Sequence, residues 1–199
     1  MKRILLCVSV FLVLSLPLMA QDNPKLEVFG GYQYQSIGSD LGRQIGSPFN
    51  GWDASVTANL SKHFGVTGDF SGNYHSFTYG GDNASSRIYT FAGGPVYSFG
   101  SEKFNPFVHV LFGGARVTTP SQYNPNNQVI YVSGTGLAVM AGGGVDFKFK
   151  KSIAIRLAQF DWIYYHDNDI GALIAHDGGG NVTNFADNVR ISTGVVFHF

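Results

Sequence analysis

The stretch VRISTGVVFHF, residues 189–199, alternates apolar and polar positions with the period of a β-strand. Ile191, Thr193, Val195, Phe197 and Phe199 share one face of that strand. An apolar, uncharged final strand left at the edge of a sheet promotes aggregation. A closed barrel removes the edge because its last strand pairs with its first. We therefore interpret residue 199 as the end of a closing strand.

The first 20 residues have the layout of a secretory signal peptide. Lys2 and Arg3 precede an apolar run over residues 4–16, and Ala20 is followed by polar residues. We predict a cleaved signal peptide over residues 1–20 and a β-barrel domain over residues 21–199. An uncleaved membrane anchor is the alternative, which the shortness of the run disfavours. Cys7 is the only cysteine, so the predicted mature domain has no disulfide.

The charge and hydropathy of the remaining chain exclude two classes of protein. Without Lys2 and Arg3 the chain carries 11 basic and 13 acidic residues, a formal net charge of −2. Because no basic cluster remains, nucleic acid is not an expected partner. After residue 20 no run approaches the roughly 18 consecutive apolar residues of a membrane helix. If the chain spans a membrane, it does so with strands.

Alternation with period two predicts eight strands, whose connections alternate between long and short. The predicted strands cover residues 26–35, 52–60, 64–74, 88–99, 106–117, 137–148, 153–164 and 189–199. The long connections, residues 36–50, 75–87, 118–134 and 166–187, are rich in Gly, Ser, Asn and Asp. Because Pro95 cannot donate a ladder hydrogen bond, we expect a bulge or kink near Gly93-Gly94-Pro95. The apolar face of the seventh strand changes parity near Leu157, which predicts a β-bulge there.

An eight-stranded up-and-down barrel is either a water-soluble carrier of the lipocalin type or a membrane barrel, and the aromatic residues distinguish them. With the N-terminus in the periplasm, these residues fall into two girdles around an aliphatic band of about 25 Å, as a transmembrane barrel requires. The outer girdle comprises Tyr32, Tyr34, Trp52, Tyr74, Tyr89, Trp162 and Tyr164, and the periplasmic girdle comprises Phe64, Tyr97, Phe99, Phe147, Phe197 and Phe199.

Several segments resemble a known family. The alternating end with Val195, Phe197 and Phe199 resembles the terminal signature of bacterial outer-membrane β-barrels, which implies recognition by the barrel-assembly machinery. Residues 27–32 (EVFGGY), 93–97 (GGPVY) and 142–146 (GGGVD), with Arg156, Gln159 and Asp161, are similar to the small OmpA-like outer-membrane β-barrel family. The family's peptidoglycan-binding domain is not expected, because the chain stops at the eighth strand.

The resemblance covers residues 24–199 and implies a fold and a function. The expected fold is an all-β, eight-stranded, antiparallel, up-and-down transmembrane β-barrel. The expected function is that of a non-enzymatic outer-membrane protein that supports envelope integrity and offers its surface loops for recognition. It is expected to contact outer-membrane lipid, to be a monomer and to need no cofactor.

Strand parity places a set of charged side chains inside the barrel: Glu27, Asp53, Asp69, Asp146, Lys148, Arg156, Asp161 and Arg190. Asp146 and Arg156 flank the predicted turn at residues 150–152 about equally, so we predict a cross-strand pair between them. Buried charges require partners or water. An eight-stranded interior is only wide enough for its own side chains, which favours a salt-bridged plug. A narrow channel for ions or small solutes is the alternative.

A lipid-modifying enzyme is a further alternative. Such a site requires a nucleophile with a base and an acid near the outer leaflet. His166, Asp167, Asp169, His176 and Asp177 lie in or beside the last long loop, but that segment contains no serine. Carboxylates and histidines also bind divalent cations, although no recognised ligand spacing is present. We therefore predict no catalytic, cofactor or metal site.

Overall fold

The eight strands form one closed antiparallel barrel, in which each strand pairs with its sequence neighbours and the last pairs with the first. The structure, a computed structural model, describes residues 25–38, 47–79, 82–100, 103–123, 129–166 and 184–199. The strands are β1 (Leu26–Ser36), β2 (Phe49–Asn59), β3 (Phe64–Tyr79), β4 (Asp82–Ser98), β5 (Phe104–Tyr123), β6 (Val129–Lys150), β7 (Ile153–His166) and β8 (Asn184–His198). The predicted fold class is confirmed.

Of the predicted signal peptide and the predicted long loops, the structure tests only the loops. The predicted signal peptide, residues 1–20, lies outside the described residues. In the part of the chain that is described, no helix is long and apolar enough to cross a membrane. The predicted long loops at 75–87 and 118–134 are wrong in extent, because β3–β4 and β5–β6 continue as paired hairpins well into them. The main-chain ladder persists there although the hydrophobic alternation ends, because each hairpin continues a strand pairing that is already established within the barrel.

The two predicted irregularities have different outcomes. Val145 pairs with Ala158 and Asp146 pairs with Arg156, so Leu157 is the extra residue of the predicted bulge. At Pro95 the expected bulge is absent, because β4 and β5 keep one register on both sides of it. A Cβ atom at Gly94 would lie 2.1 Å from the carbonyl oxygen of Val110. The sheet therefore accommodates Pro95 beside a close approach of two backbones, without an inserted residue.

The two faces of the sheet have opposite character. Asp53 and Ser55 on β2 are buried in the interior, whereas Trp52 and Val56 on the same strand are exposed on the outer wall. The interior also contains apolar side chains, which the pattern of the sequence did not predict. A buried cluster fills the lumen toward the long-loop end and consists of Ile37, Phe49, Ile88, Ala92, Leu111, Ala115, Val117, Ala138, Met140, Ile163 and Tyr165. The lumen is thus filled by a polar layer and an apolar layer.

Candidate functional site

The polar layer is centred on Arg190 of β8, whose side chain is fully buried. Its guanidinium donates to both carboxylate oxygens of Asp69, at 2.9 and 3.3 Å, and to Asp161 at 2.7 Å. Asp161 belongs to the neighbouring strand β7 and pairs with Arg190, whereas Asp69 belongs to β3, so the contact with Asp69 crosses the lumen. His109 on β5 adds a 2.7 Å hydrogen bond between its Nε2 and Asp161. One cation therefore connects strands on opposite sides of the interior.

A second ion pair joins Arg156 of β7 to Asp146 of β6, as the spacing around the turn predicts. Arg156 Nε lies 2.8 Å from Asp146 Oδ1 and Nη2 lies 3.1 Å from Oδ2, which makes the pair bidentate. The rings of Phe29 and Phe107 lie on the guanidinium at 4.3 and 4.4 Å from their centroids. Gln159 accepts from Arg156 at 2.6 Å. Stacking and hydrogen bonding together compensate the desolvation of this cation.

The other predicted lumen residues are inside the barrel but outside these ion pairs. Asp53 accepts a hydrogen bond from Ser192 Oγ at 2.8 Å. Glu27, nearer the N-terminal end of β1, accepts from Asn59 at 2.8 Å and lies 3.7 Å from His198 Nδ1. Lys148 is half-buried. Asp53 therefore interacts with the charge of Arg190 from outside the ion pairs, and Glu27 makes its contacts near the N-terminal end of β1.

Uncharged polar residues complete the layer, and none of them was predicted from the sequence as a site residue. Gln159 Nε2 donates to Asp161 at 2.7 Å, which links the two arginine clusters. Gln35 Nε2 donates to the Tyr165 hydroxyl and Asn73 Nδ2 donates to Gln35, both at 2.8 Å. Strand parity places each of them inward, but an uncharged amide or phenol on the inner face does not indicate a site in the way that a buried charge does.

Little free space remains among these side chains. The cavity between the two arginine clusters and the short-turn end of the barrel has a volume of about 20 Å³. One water molecule needs about 10–15 Å³ measured in this way, so the cavity holds about one water. No cluster of three His, Cys, Asp or Glu residues suited to a metal ion occurs among the described residues. Among the described residues, the side chains of this layer therefore leave room for little more than one water molecule.

The outer wall carries the residues predicted for the two girdles, and all of them are exposed or half-buried. Trp52 and Phe70 make an edge contact with centroids 5.2 Å apart, and Tyr97 contacts Phe99 in the same manner at 5.3 Å. In the terminal segment, Val195, Phe197 and Phe199 are all exposed on this wall. The backbone of Phe199 donates to Leu26 at 2.8 Å and so closes the barrel at its end.

The histidines and acids considered for catalysis are only partly within the described residues. His166 ends β7 and is exposed, while Asp167, Asp169, His176 and Asp177 lie outside the described residues. No arrangement of nucleophile, base and acid is therefore assembled by the part of the last long connection that is described.

Comparisons with known proteins identify relatives in family and fold. The family model for the outer membrane protein beta-barrel domain matches residues 5–199. No curated protein sequence matches the chain. Among solved structures, Ail, the attachment invasion locus protein of Yersinia pestis, in complex with the heparin analogue sucrose octasulfate, is 18% identical with a TM-score of 0.60; the match covers 88% of this chain and 99% of Ail.

Two further structures share the fold. Neisserial surface protein A is 12% identical with a TM-score of 0.58, and the match covers 88% of this chain and 97% of that one. The outer membrane protein OprG from Pseudomonas aeruginosa is 12% identical with a TM-score of 0.53, and the match covers 90% of this chain and 99% of that one. At these identities the likeness concerns the fold alone.

Proposed function

Because the chain belongs to the outer membrane protein beta-barrel domain family, we propose that it is a non-enzymatic barrel that supports the bacterial outer membrane without conducting solutes. The observation that carries this proposal is the closed interior. Arg190 joins opposite strands across the polar layer, and an apolar cluster fills the lumen beyond it. A continuous aqueous path needs space that this filling does not leave.

The proposal extends to export, assembly and recognition. Residues 1–20 act as a cleaved signal peptide, and the end of β8 is recognised by the barrel-assembly machinery. The exposed Phe197 and Phe199 support the second role, since they form an apolar strand end on the lipid-facing wall. The β3–β4 and β5–β6 hairpins support a role in recognition, since they extend the barrel at the long-loop end. The mature barrel acts as a monomer.

Planar-bilayer recording of the refolded protein tests the absence of conduction. We expect no large, steady single-channel openings for the wild-type protein or for Lys62→Ala, a change at an exposed turn. Removing the cross-lumen contacts with Arg190→Ala is expected to raise the frequency of openings. Large, steady openings of the wild-type protein overturn the proposal in favour of a channel.

Mass spectrometry of lipid A from cells with and without the protein tests the enzymatic alternative, and we expect identical spectra.

A further inference from the structure

The outer wall of the barrel has a depression on the side formed by β1 to β5, with a volume of about 410 Å³. Ala54, Gly68 and Gly93 form its floor. These residues lie between the two girdles, since Phe64 precedes Gly68 on β3 and Tyr74 follows it. We call this depression the lipid-facing groove.

The floor of the groove is not covered by neighbouring side chains. A Cβ atom built on Gly68 meets no atom within 4 Å, and one built on Gly93 meets only a backbone oxygen at 3.4 Å. Two other glycines on the same wall are covered by aromatic rings. The ring of Trp52 lies over Gly72 at 2.9 Å, and the ring of Phe91 lies over Gly114 at 2.8 Å. Aromatic side chains therefore cover those two glycines and leave the floor of this groove open, and a second open depression of about 520 Å³ lies on the other side of Phe91.

The walls of the groove are apolar and differ at its two margins. Phe70, Phe91 and Phe112 form one margin, and all three rings are exposed. The aliphatic Val28 and Val56 form the other. The floor runs from Ala54 on β2 to Gly93 on β4 and crosses two strand spacings of about 4.8 Å, or roughly 10 Å. One leaflet of the roughly 30 Å hydrocarbon layer is about 15 Å deep, so the floor accommodates a large part of one acyl chain.

We propose that this groove binds one acyl chain of a membrane lipid. Its walls continue the lipid-facing surface of a barrel whose family resides in the outer membrane, so hydrocarbon is the medium that meets it. An unfilled depression loses dispersion contacts along its floor and walls, and a flexible chain restores them. Strand tilt of about 35–45° inclines a groove that crosses the strands, so a chain enters it without lying parallel to the membrane plane.

Lipid retention by the refolded barrel tests the proposal directly. Native mass spectrometry in detergent with added phosphatidylcholine is expected to show one retained lipid on the wild-type protein. Gly68→Leu fills the floor and displaces roughly two methylene groups, which lowers retention about tenfold. Ala141→Leu adds three carbon atoms, one fewer than Gly68→Leu, to the exposed wall of β6 outside the groove, and is expected to retain the lipid. A heat-modifiable gel band verifies that both variants are folded.

The two tryptophans of the chain locate the lipid. Trp52 contacts Phe70 at the margin of the groove, while Trp162 lies on β7, away from it. Two variants each retain one tryptophan: Trp162→Phe retains Trp52, and Trp52→Phe retains Trp162. Phosphatidylcholine brominated on one acyl chain is expected to quench the fluorescence of Trp52 at a lower mole fraction of lipid than it quenches the fluorescence of Trp162. Gly68→Leu is expected to remove that difference. Equal retention by wild type and Gly68→Leu overturns the proposal. A dimer whose Trp52 is shielded from brominated lipid also overturns it, because a second copy then occupies the groove.

Discussion

Replacing Arg190 by methionine tests whether the cross-lumen contacts stabilise the barrel. The side chain is fully buried, and the change leaves Asp69 and Asp161 without their cation. Breaking a buried ion pair by removing one partner costs about 3–5 kcal/mol, since the remaining charge stays desolvated. We therefore expect Arg190→Met to lower the free energy of unfolding by about 3–5 kcal/mol, which is roughly two to three and a half orders of magnitude in the unfolding equilibrium.

A triple variant, which removes the two carboxylates together with the guanidinium, serves as the matched control. Adding Asp69→Asn and Asp161→Asn to Arg190→Met removes both stranded carboxylates and retains similar side-chain volumes. Replacing all members of a buried ion pair is often close to neutral, so the triple variant is expected to recover most of the loss. Urea-induced unfolding of the protein refolded in lipid vesicles, followed by tryptophan fluorescence, measures both. A loss below about 1 kcal/mol for the single variant, or no recovery in the triple variant, refutes the reasoning.

Further predictions concern the wall, the assembly signal and export. Gly94→Ala places a methyl group 2.1 Å from the Val110 oxygen and is expected to abolish the heat-modifiable band, whereas Gly68→Ala, with open space, is expected to retain it. Phe199→Ala is expected to reduce the amount of assembled barrel in cells but to refold in detergent as the wild type does, and equal cellular amounts would contradict the assembly role. Intact mass of the exported protein is expected to place its N-terminus at Gln21, and a mass that includes residues 1–20 would contradict cleavage.

Strand periodicity predicted the features that depend on one strand at a time. Side chains two residues apart share a face, so alternation alone assigns Asp53, Asp69 and Arg156 to one side of the sheet and Trp52 and Val56 to the other. The bulge at Leu157 was predictable for the same reason, since a change of parity within one strand requires an extra residue. The Asp146–Arg156 pair was predictable because a short turn fixes the register of its two strands.

Contacts that depend on the whole barrel were not predictable. Arg190 and Asp69 are 121 positions apart and meet because closure brings β8 and β3 to opposite sides of one narrow lumen. Pairing at short turns does not fix which side chains face each other across that space. Strand ends in the long hairpins were missed because hydrogen bonding continues beyond the membrane without a hydrophobic pattern. The apolar cluster around Leu111 was missed because parity identifies a face but does not determine how the lumen is filled.

Spin-label accessibility along β2 tests most directly that apolar side chains face lipid and charged ones face the lumen. The predicted mature domain contains no cysteine, so single cysteines at residues 53 to 57 can each carry a label. In lipid vesicles we expect the accessibility to oxygen, which concentrates in hydrocarbon, to be high at 54 and 56 and low at 53, 55 and 57. The opposite parity, or a profile without period two, would contradict a barrel that turns its apolar face to the membrane.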